Sequence, residues 1–197
     1  LIMKTGHNIY TKNISDKKIY TPACSETTLQ IISVLKEEFP LVMFRIWELS
    51  SLNEFLNHLI AHNHIFIEAE RDGIGFIYNR MNEIFPKKVL LEPNKKELSL
   101  YSADNDIIMT SLITECPAGL THDYELSLEK LIVDMFSNKV LQAFISKGDY
   151  AEALEEMFSK YNINQSRLFR YARRRGKADL IASFLTEKTN IRLEFAE

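Results

Sequence analysis

Glycine, proline and cysteine are scarce in this 197-residue chain, at six, five and two residues. So few glycines leave little scope for a phosphate cradle. Asp72-Gly73-Ile74-Gly75 supplies only Gly-x-Gly, without a third glycine or a Walker lysine, and reads as a strand-to-helix turn. Cys24 and Cys116 make neither a disulfide framework nor a metal knuckle. Two reduced thiols point to a cytoplasmic protein. No apolar run approaches the ~18 residues that span a bilayer, so no membrane is expected as a partner. The N-terminus, Leu1-Ile2-Met3-Lys4-Thr5-Gly6, does not read as a signal peptide. Opening at Leu1 rather than Met reads as a processed product or a fragment. An overall basic charge is missing too. With 24 Lys and Arg against 27 Asp and Glu, the net charge is −3, which leaves only local patches for an acidic partner. The catalytic signatures of several classes are also absent. There is no Gly-x-Ser-x-Gly elbow and neither cysteine has a recognisable flank. Asp104-Asn105-Asp106 lacks the Gly-Ser of a nucleotidyltransferase and reads as a turn.

What is present is the balance of a globular protein, 46% hydrophobic and 26% charged. Ser25 caps a helix with apolar periodicity up to Phe39. Residues 41–47 read as a strand, and Ser51-x-x-Glu54 as a capping box opening a helix through about Ala61. A strand at 64–70, a helix at 74–85, a strand at 88–91, a brief helix at 95–101 and a strand at 107–113 follow. Beyond Pro117 the pattern is helical, at 127–136, 139–147, 150–161, 165–175 and 179–188. Strands alternating with helices predict an α/β fold: a mixed, partly parallel sheet flanked by helices, followed by an all-helical C-terminal half. The expected organisation is an N-terminal arm at 1–22, an α/β part at 23–117, and a helical part at 118–197 packed on it as one compact unit.

His58, His62 and His64 form H-x-x-x-H-x-H. A helix would set the first two one turn apart, as zinc helices do, but Leu59 stands where a metalloprotease needs its glutamate. Satisfied or exposed histidines at a helix–strand corner are the plainer reading. A restriction-endonuclease-like nuclease acting on nucleic acid is the alternative enzyme class. It would use Glu68 and Glu70 of Glu68-Ala69-Glu70-Arg71, yet no Glu-x-Lys occurs in the chain.

The densest charge lies in Arg167-Leu168-Phe169-Arg170-Tyr171-Ala172-Arg173-Arg174-Arg175-Gly176-Lys177. On a helix Arg167, Arg170 and Arg174 share one face, with Leu168, Phe169 and Ala172 on the other side. Guanidinium forks at Arg167, Arg170, Arg173, Arg174 and Arg175, with Lys177, suit phosphates, those of a nucleotide or nucleic acid, or another acidic partner. A solvated helix face accounts for them equally, as does pairing with the acidic run Asp149, Glu152, Glu155 and Glu156. Leu128, Leu131, Ile132, Met135 and Phe136 form a core stripe in which Asp134 caps or pairs locally.

Four stretches together carry a family resemblance: Lys18-Ile19-Tyr20-Thr21-Pro22, Ile46-Trp47-Glu48-Leu49-Ser50-Ser51-Leu52-Asn53-Glu54-Phe55, Leu128-Glu129-Lys130-Leu131-Ile132-Val133-Asp134-Met135-Phe136, and Ser166 through Arg175. They resemble the AbiEi-type antitoxins of bacterial type IV toxin–antitoxin (abortive infection) systems. Gly6-His7-Asn8-Ile9-Tyr10-Thr11 resembles the tail of that family's winged-helix wing, whose recognition helix would lie upstream. The resemblance implies a transcriptional autoregulator without enzymatic activity or cofactor. Its C-terminal domain would neutralise a cognate nucleotidyltransferase-type toxin, and its DNA operator would be held mainly by the winged helix.

Overall fold

The computed structural model describes residues 2–6, 9–12 and 17–194. Ile2–Gly6 (β1) pairs antiparallel with Ile9–Lys12 (β2). His7 and Asn8 of the wing-like stretch lie outside the described residues. The chain then forms helix α1 (Glu26–Glu38), strand β3 (Phe44–Glu48), strand β4 (His64–Ala69), helix α2 (Arg71–Ile84) and strand β5 (Val89–Leu91). Helix α3 (Lys95–Tyr101) and strand β6 (Asp106–Ser111) complete the sheet region. Helices α4 (Leu128–Ser137), α5 (Tyr150–Lys160), α6 (Gln165–Arg174) and α7 (Ala178–Lys188) follow.

The sheet is mixed, in the order β3-β4-β6-β5. β3 runs antiparallel to β4, whereas β4, β6 and β5 are parallel. The α/β architecture with a helical C-terminal half is thus the one the alternation predicts. From β4 the chain crosses through α2 to β5 at the edge, then returns through α3 to β6. The two crossovers run in opposite directions, so connections of one hand take opposite faces of the sheet. Accordingly Ile74, Ile77 and Met81 of α2 pack with α1 on one face, and Leu98 of α3 joins the core on the other.

Strand alternation divides the interior into two cores. Phe44, Ile46, Ile65, Ile67, Ile107 and Met109 meet α1 and α2. Trp47, Phe66 and Ile108 meet the helical half, with Trp47 and Phe66 stacked at 4.4 Å between centroids. Sandwiched between the sheet and the outer helices, α4 is buried from Leu128 through Phe136, charged residues included. Among the described residues no helix is long and apolar enough to cross a membrane.

Several local expectations change. Gly73 and Gly75 lie within the first two turns of α2 rather than in a turn before it. The Ser51–Glu54 box opens no helix through Ala61; residues Leu49–Glu54 make a 3-10 segment and the chain is irregular beyond. Its glutamate is engaged elsewhere, since Glu54 accepts from the Tyr161 hydroxyl at 2.8 Å. The helix expected at 139–147 is two short 3-10 turns, Leu141–Ala143 and Lys147–Asp149. Asn138 and Ser146 side chains accept from backbone N–H groups of Val140 and Gly148, competing with helix continuation. Within the N-terminal arm, Lys18 makes a single bridge to Tyr161.

Candidate functional site

Helix α6 is capped at both ends, which fixes the direction of its arginines. The Asn164 side chain accepts from Arg167 N at 2.9 Å. At the other end Gly176, at φ +61°, places its N–H on Arg173 O, and Lys177 N–H reaches Ala172 O. This is a Schellman motif, in which a left-handed glycine satisfies the last carbonyls. Gln165, Leu168, Tyr171 and Ala172 are the buried side of α6.

With those four inside, the guanidinium groups separate into three sets. Arg167 donates to the Ala118 carbonyl, and Arg174 donates to Thr114 Oγ1 at 2.8 Å. Arg170 lies between them on the same face, exposed, with no hydrogen-bond or ion-pair partner among the described residues. Arg173, also exposed and without a partner among them, lines a groove against Ala178 and Ala182 of α7. Lys177 is half-buried at the α6–α7 junction. Arg175 turns inward, 3.4 Å from Asp134 and 3.2 Å from the Tyr171 hydroxyl.

The acidic run does not neutralise these groups. Glu152 accepts from Asn57, Glu155 from Asn190, and Glu156 pairs with Lys160 in its own helix. Asp149 lies 3.6 Å from His58. Among the described residues, of the five arginines from Arg167 to Arg175 only Arg175, just past the end of α6, lies beside a carboxylate, and that carboxylate belongs to α4.

Arg175 borders a buried charge cluster that the sequence reading only touched. Lys130 on α4 donates to Glu68 of β4 and to Asp134, both at 2.5 Å, and none of the lysine is exposed. Tyr171 adds a hydroxyl at 3.3 Å from Asp134. Burial alone would lower the Lys130 pKa, but the Asp134 and Glu68 carboxylates overcome it and hold the ammonium charged above its usual range. Burial pushes Glu68 up despite the pull of Lys130. The expected local pairing of Asp134 is therefore real, with Lys130 as partner, and extends to a strand and a second helix. Glu68, one of the two nuclease candidates, is a link in this cluster. Glu70 is one residue past β4 and accepts from Met43 N at 3.1 Å.

A cleft of about 500 Å³ opens where β4 and β6 end, lined by Glu70, Arg71, Asp72, Ser111, Thr114 and Arg174. The carboxyl ends of parallel strands are where open α/β sheets receive ligands. The cleft thus joins the Arg167–Arg170–Arg174 face to the sheet's ligand edge. No motif marks Arg71 or Thr114 as site residues; their only signal in the sequence is a position shortly after a strand end.

The remaining histidine and acid patterns resolve simply. No helix presents His58 and His62; both are exposed in irregular chain, and His64 is buried on β4. Asp104-Asn105 form a turn into β6, with Asn105 at φ +62° and Asp106 accepting from Ala103 N at 2.6 Å. Among the described residues no three His, Cys, Asp or Glu side chains are grouped to hold a metal ion.

Comparison with curated proteins and with solved structures finds no match in either. A family does match, over residues 1–191, and the chain accordingly belongs to DUF6577, a family of unknown function.

Proposed function

We propose that the chain is a regulatory binding module of the antitoxin kind, cytoplasmic and without catalysis of its own. It docks on an acidic surface of a nucleotidyltransferase-type toxin through Arg167, Arg170 and Arg174, flanked by Arg173 and Lys177. Preceded by a winged helix, it regulates its own operator. Two things support this reading: the resemblance of the four stretches to AbiEi-type antitoxins, and the state of the arginines. The observation that carries it is Arg170, exposed between two arginines whose own partners are a carbonyl and a hydroxyl. Three guanidinium groups on one face thus make no ion pair with a carboxylate among the described residues. Such a face attracts and orients an acidic partner, and each fork can hold a carboxylate bidentately.

The test is coexpression with the product of the neighbouring reading frame, scored by host growth and by copurification. Protection by the native chain, with affinity reduced about tenfold to a hundredfold in R170E/R174E, is expected for two charges reversed at an interface. The melting temperature should not move. Full protection by R170E/R174E would overturn the docking face. Metal-dependent cleavage of plasmid DNA, lost in Glu68→Ala, would replace the reading with a nuclease.

A further inference from the structure

The two edges of the four-stranded sheet are finished differently. At β3 the Ile46 N–H donates to the Tyr124 carbonyl at 2.9 Å, so a loop covers part of that edge. At the other edge β5 has β6 on one side and, among the described residues, no strand on the other. Lys88 O accepts from Ile107 N, and Glu92 N donates to Met109 O, both at 2.7 Å. Alternation along a strand then turns the N–H and C=O groups of Val89 and Leu91 away from β6. Among the described residues no backbone bond meets them on that side. Lys87 at φ +65° and Glu92 at φ +45° leave extended geometry, which limits the free edge to these two residues. Such an edge is a template for one more strand.

The free charge around this edge is of one sign. Lys87, Lys88, Lys95 and Lys96 are exposed, and their side chains have no hydrogen-bond or ion-pair partner among the described residues. The carboxylates of the same stretch are occupied: Glu92 accepts from the Ser111 hydroxyl, and Glu97 from Asn94 N at 2.8 Å. By alternation Lys88 shares a face of the sheet with Leu90, which packs on the core of the helical half. Helix α3, which carries Lys95 and Lys96, lies on that face too. Val89 packs on the opposite core, and Leu91 shares its face but is exposed. One face of an added strand would thus meet lysines, and the other an apolar side chain. Lysines on an open edge repel a second copy of it and so guard against self-pairing. A strand of opposite sign meets no such barrier and is drawn in.

We infer that β5 receives, by strand addition, an extended segment of another protein in which acidic and apolar residues alternate. Its backbone pairs with Val89 and Leu91, its carboxylates lie beside Lys88, Lys95 and Lys96, and its apolar side chains lie beside Leu91. The edge shares no residue with the arginine face, and the inference does not rest on the antitoxin reading.

The probe is a short fluorescein-labelled peptide of alternating valine and glutamate, titrated with the full chain at pH 7 and low ionic strength and read by anisotropy. Saturable binding is expected. Lys88→Gln/Lys95→Gln/Lys96→Gln should weaken it about tenfold, as the loss of three exposed ion pairs gives, with the melting temperature unchanged. Two further peptides keep the charge but carry N-methyl groups, one on its valine amides and one on its glutamate amides. Only one of these sets faces β5 in an added strand, so one peptide should lose saturable binding. Amide exchange followed by NMR should slow at Val89 and Leu91 when the unmethylated peptide binds. An oligothymidylate of matched charge should bind more weakly than that peptide. Absence of saturable peptide binding, full affinity in both methylated peptides, or undiminished binding in the lysine variant would each overturn the inference. So would unchanged exchange at Val89 and Leu91, or an oligothymidylate bound as tightly as the peptide.

Discussion

Lys130 and Asp134 meet at 2.5 Å across one turn of α4, each shielded from solvent, and Glu68 closes the group from the sheet. An ammonium so placed neutralises two carboxylates that have no water to solvate them. Lys130→Met would leave both charges uncompensated except by Arg175. Breaking a buried pair from one side costs about 3–5 kcal/mol, which urea unfolding should show. Removing all three charges together, as Glu68→Leu/Lys130→Met/Asp134→Leu, should cost less than Lys130→Met alone, because no unpaired charge stays behind. A loss below about 1 kcal/mol in Lys130→Met would contradict the role assigned to this cluster.

Alkali should find the same weakness. The folded-state pKa of Lys130 lies above its unfolded value, and so do those of Tyr171 and Tyr20, raised chiefly by burial. Tyr150 is pushed up to about 12 by burial. Above pH ~10 the unfolded chain sheds these protons first. It then binds fewer protons than the fold, and stability falls with rising pH. The contribution is fully present below the unfolded values and is lost as pH climbs through the folded ones. Urea midpoints should be level from neutral pH to about 8.5, slip as the unfolded thiols ionise before the buried Cys24 and Cys116, and decline more steeply beyond about 10. Tyr20→Phe and Lys130→Met should each flatten that decline.

Arginines of one helix should differ in kind. Arg175 is tied to Asp134 and Tyr171, whereas Arg170 has no partner among the described residues and Arg174 touches only a threonine hydroxyl. Arg175→Ala should destabilise by about 1–3 kcal/mol, the cost of leaving a charged acceptor underbonded. Arg170→Ala and Arg174→Ala should stay within about 0.5 kcal/mol, as exposed substitutions do. Thermal unfolding of the three variants distinguishes these outcomes. A loss in Arg170→Ala as large as in Arg175→Ala would mean the exposed face is structural.

What the sequence disclosed follows the range of the forces involved. Ser25, Asn94 and Ser127 cap their helices through bonds three residues long, so α1, α3 and α4 were readable locally. The parallel strands were readable from their alternation with helices. Residues 51–61 deceived because Glu54 is claimed by Tyr161, 107 residues onward. Half of the buried cluster was within reach, since Lys130 and Asp134 stand i, i+4 in an apolar helix. Glu68 lies 62 residues earlier, and only the packing of α4 on β4 brings it in. Likewise the sequence placed the arginines on one helix, but not the inward turn of Arg175. That turn depends on the Schellman end of α6 and on Asp134 beneath it.

Two glycines of α2 should respond to alanine with opposite signs. In a helix interior alanine is intrinsically better than glycine by about 1 kcal/mol. Around Gly75 nothing lies within 4 Å of an added Cβ, so Gly75→Ala should raise stability by about that amount. At Gly73 the same Cβ would sit 2.5 Å from Val42 Cγ1 and 2.8 Å from Cγ2. Both methyls of one β-branched side chain are in the way, and rotating Val42 about χ1 exchanges one for the other. Overpacking of this sort costs about 1–3 kcal/mol, enough to outweigh the helix gain. Gly73→Ala should therefore destabilise, whereas in a Val42→Ala background, where only Cβ remains at 3.3 Å, the same change should cost much less. A double-mutant cycle read by urea unfolding measures the difference. Additivity would show that the closeness of Val42 does not constrain Gly73. The contact matters for the site because the Val42 loop and Glu70 are joined by backbone and side-chain bonds through Met43. The glycine thus sets how closely α2 approaches that loop, and with it where Glu70 and Arg71 stand in the strand-end cleft.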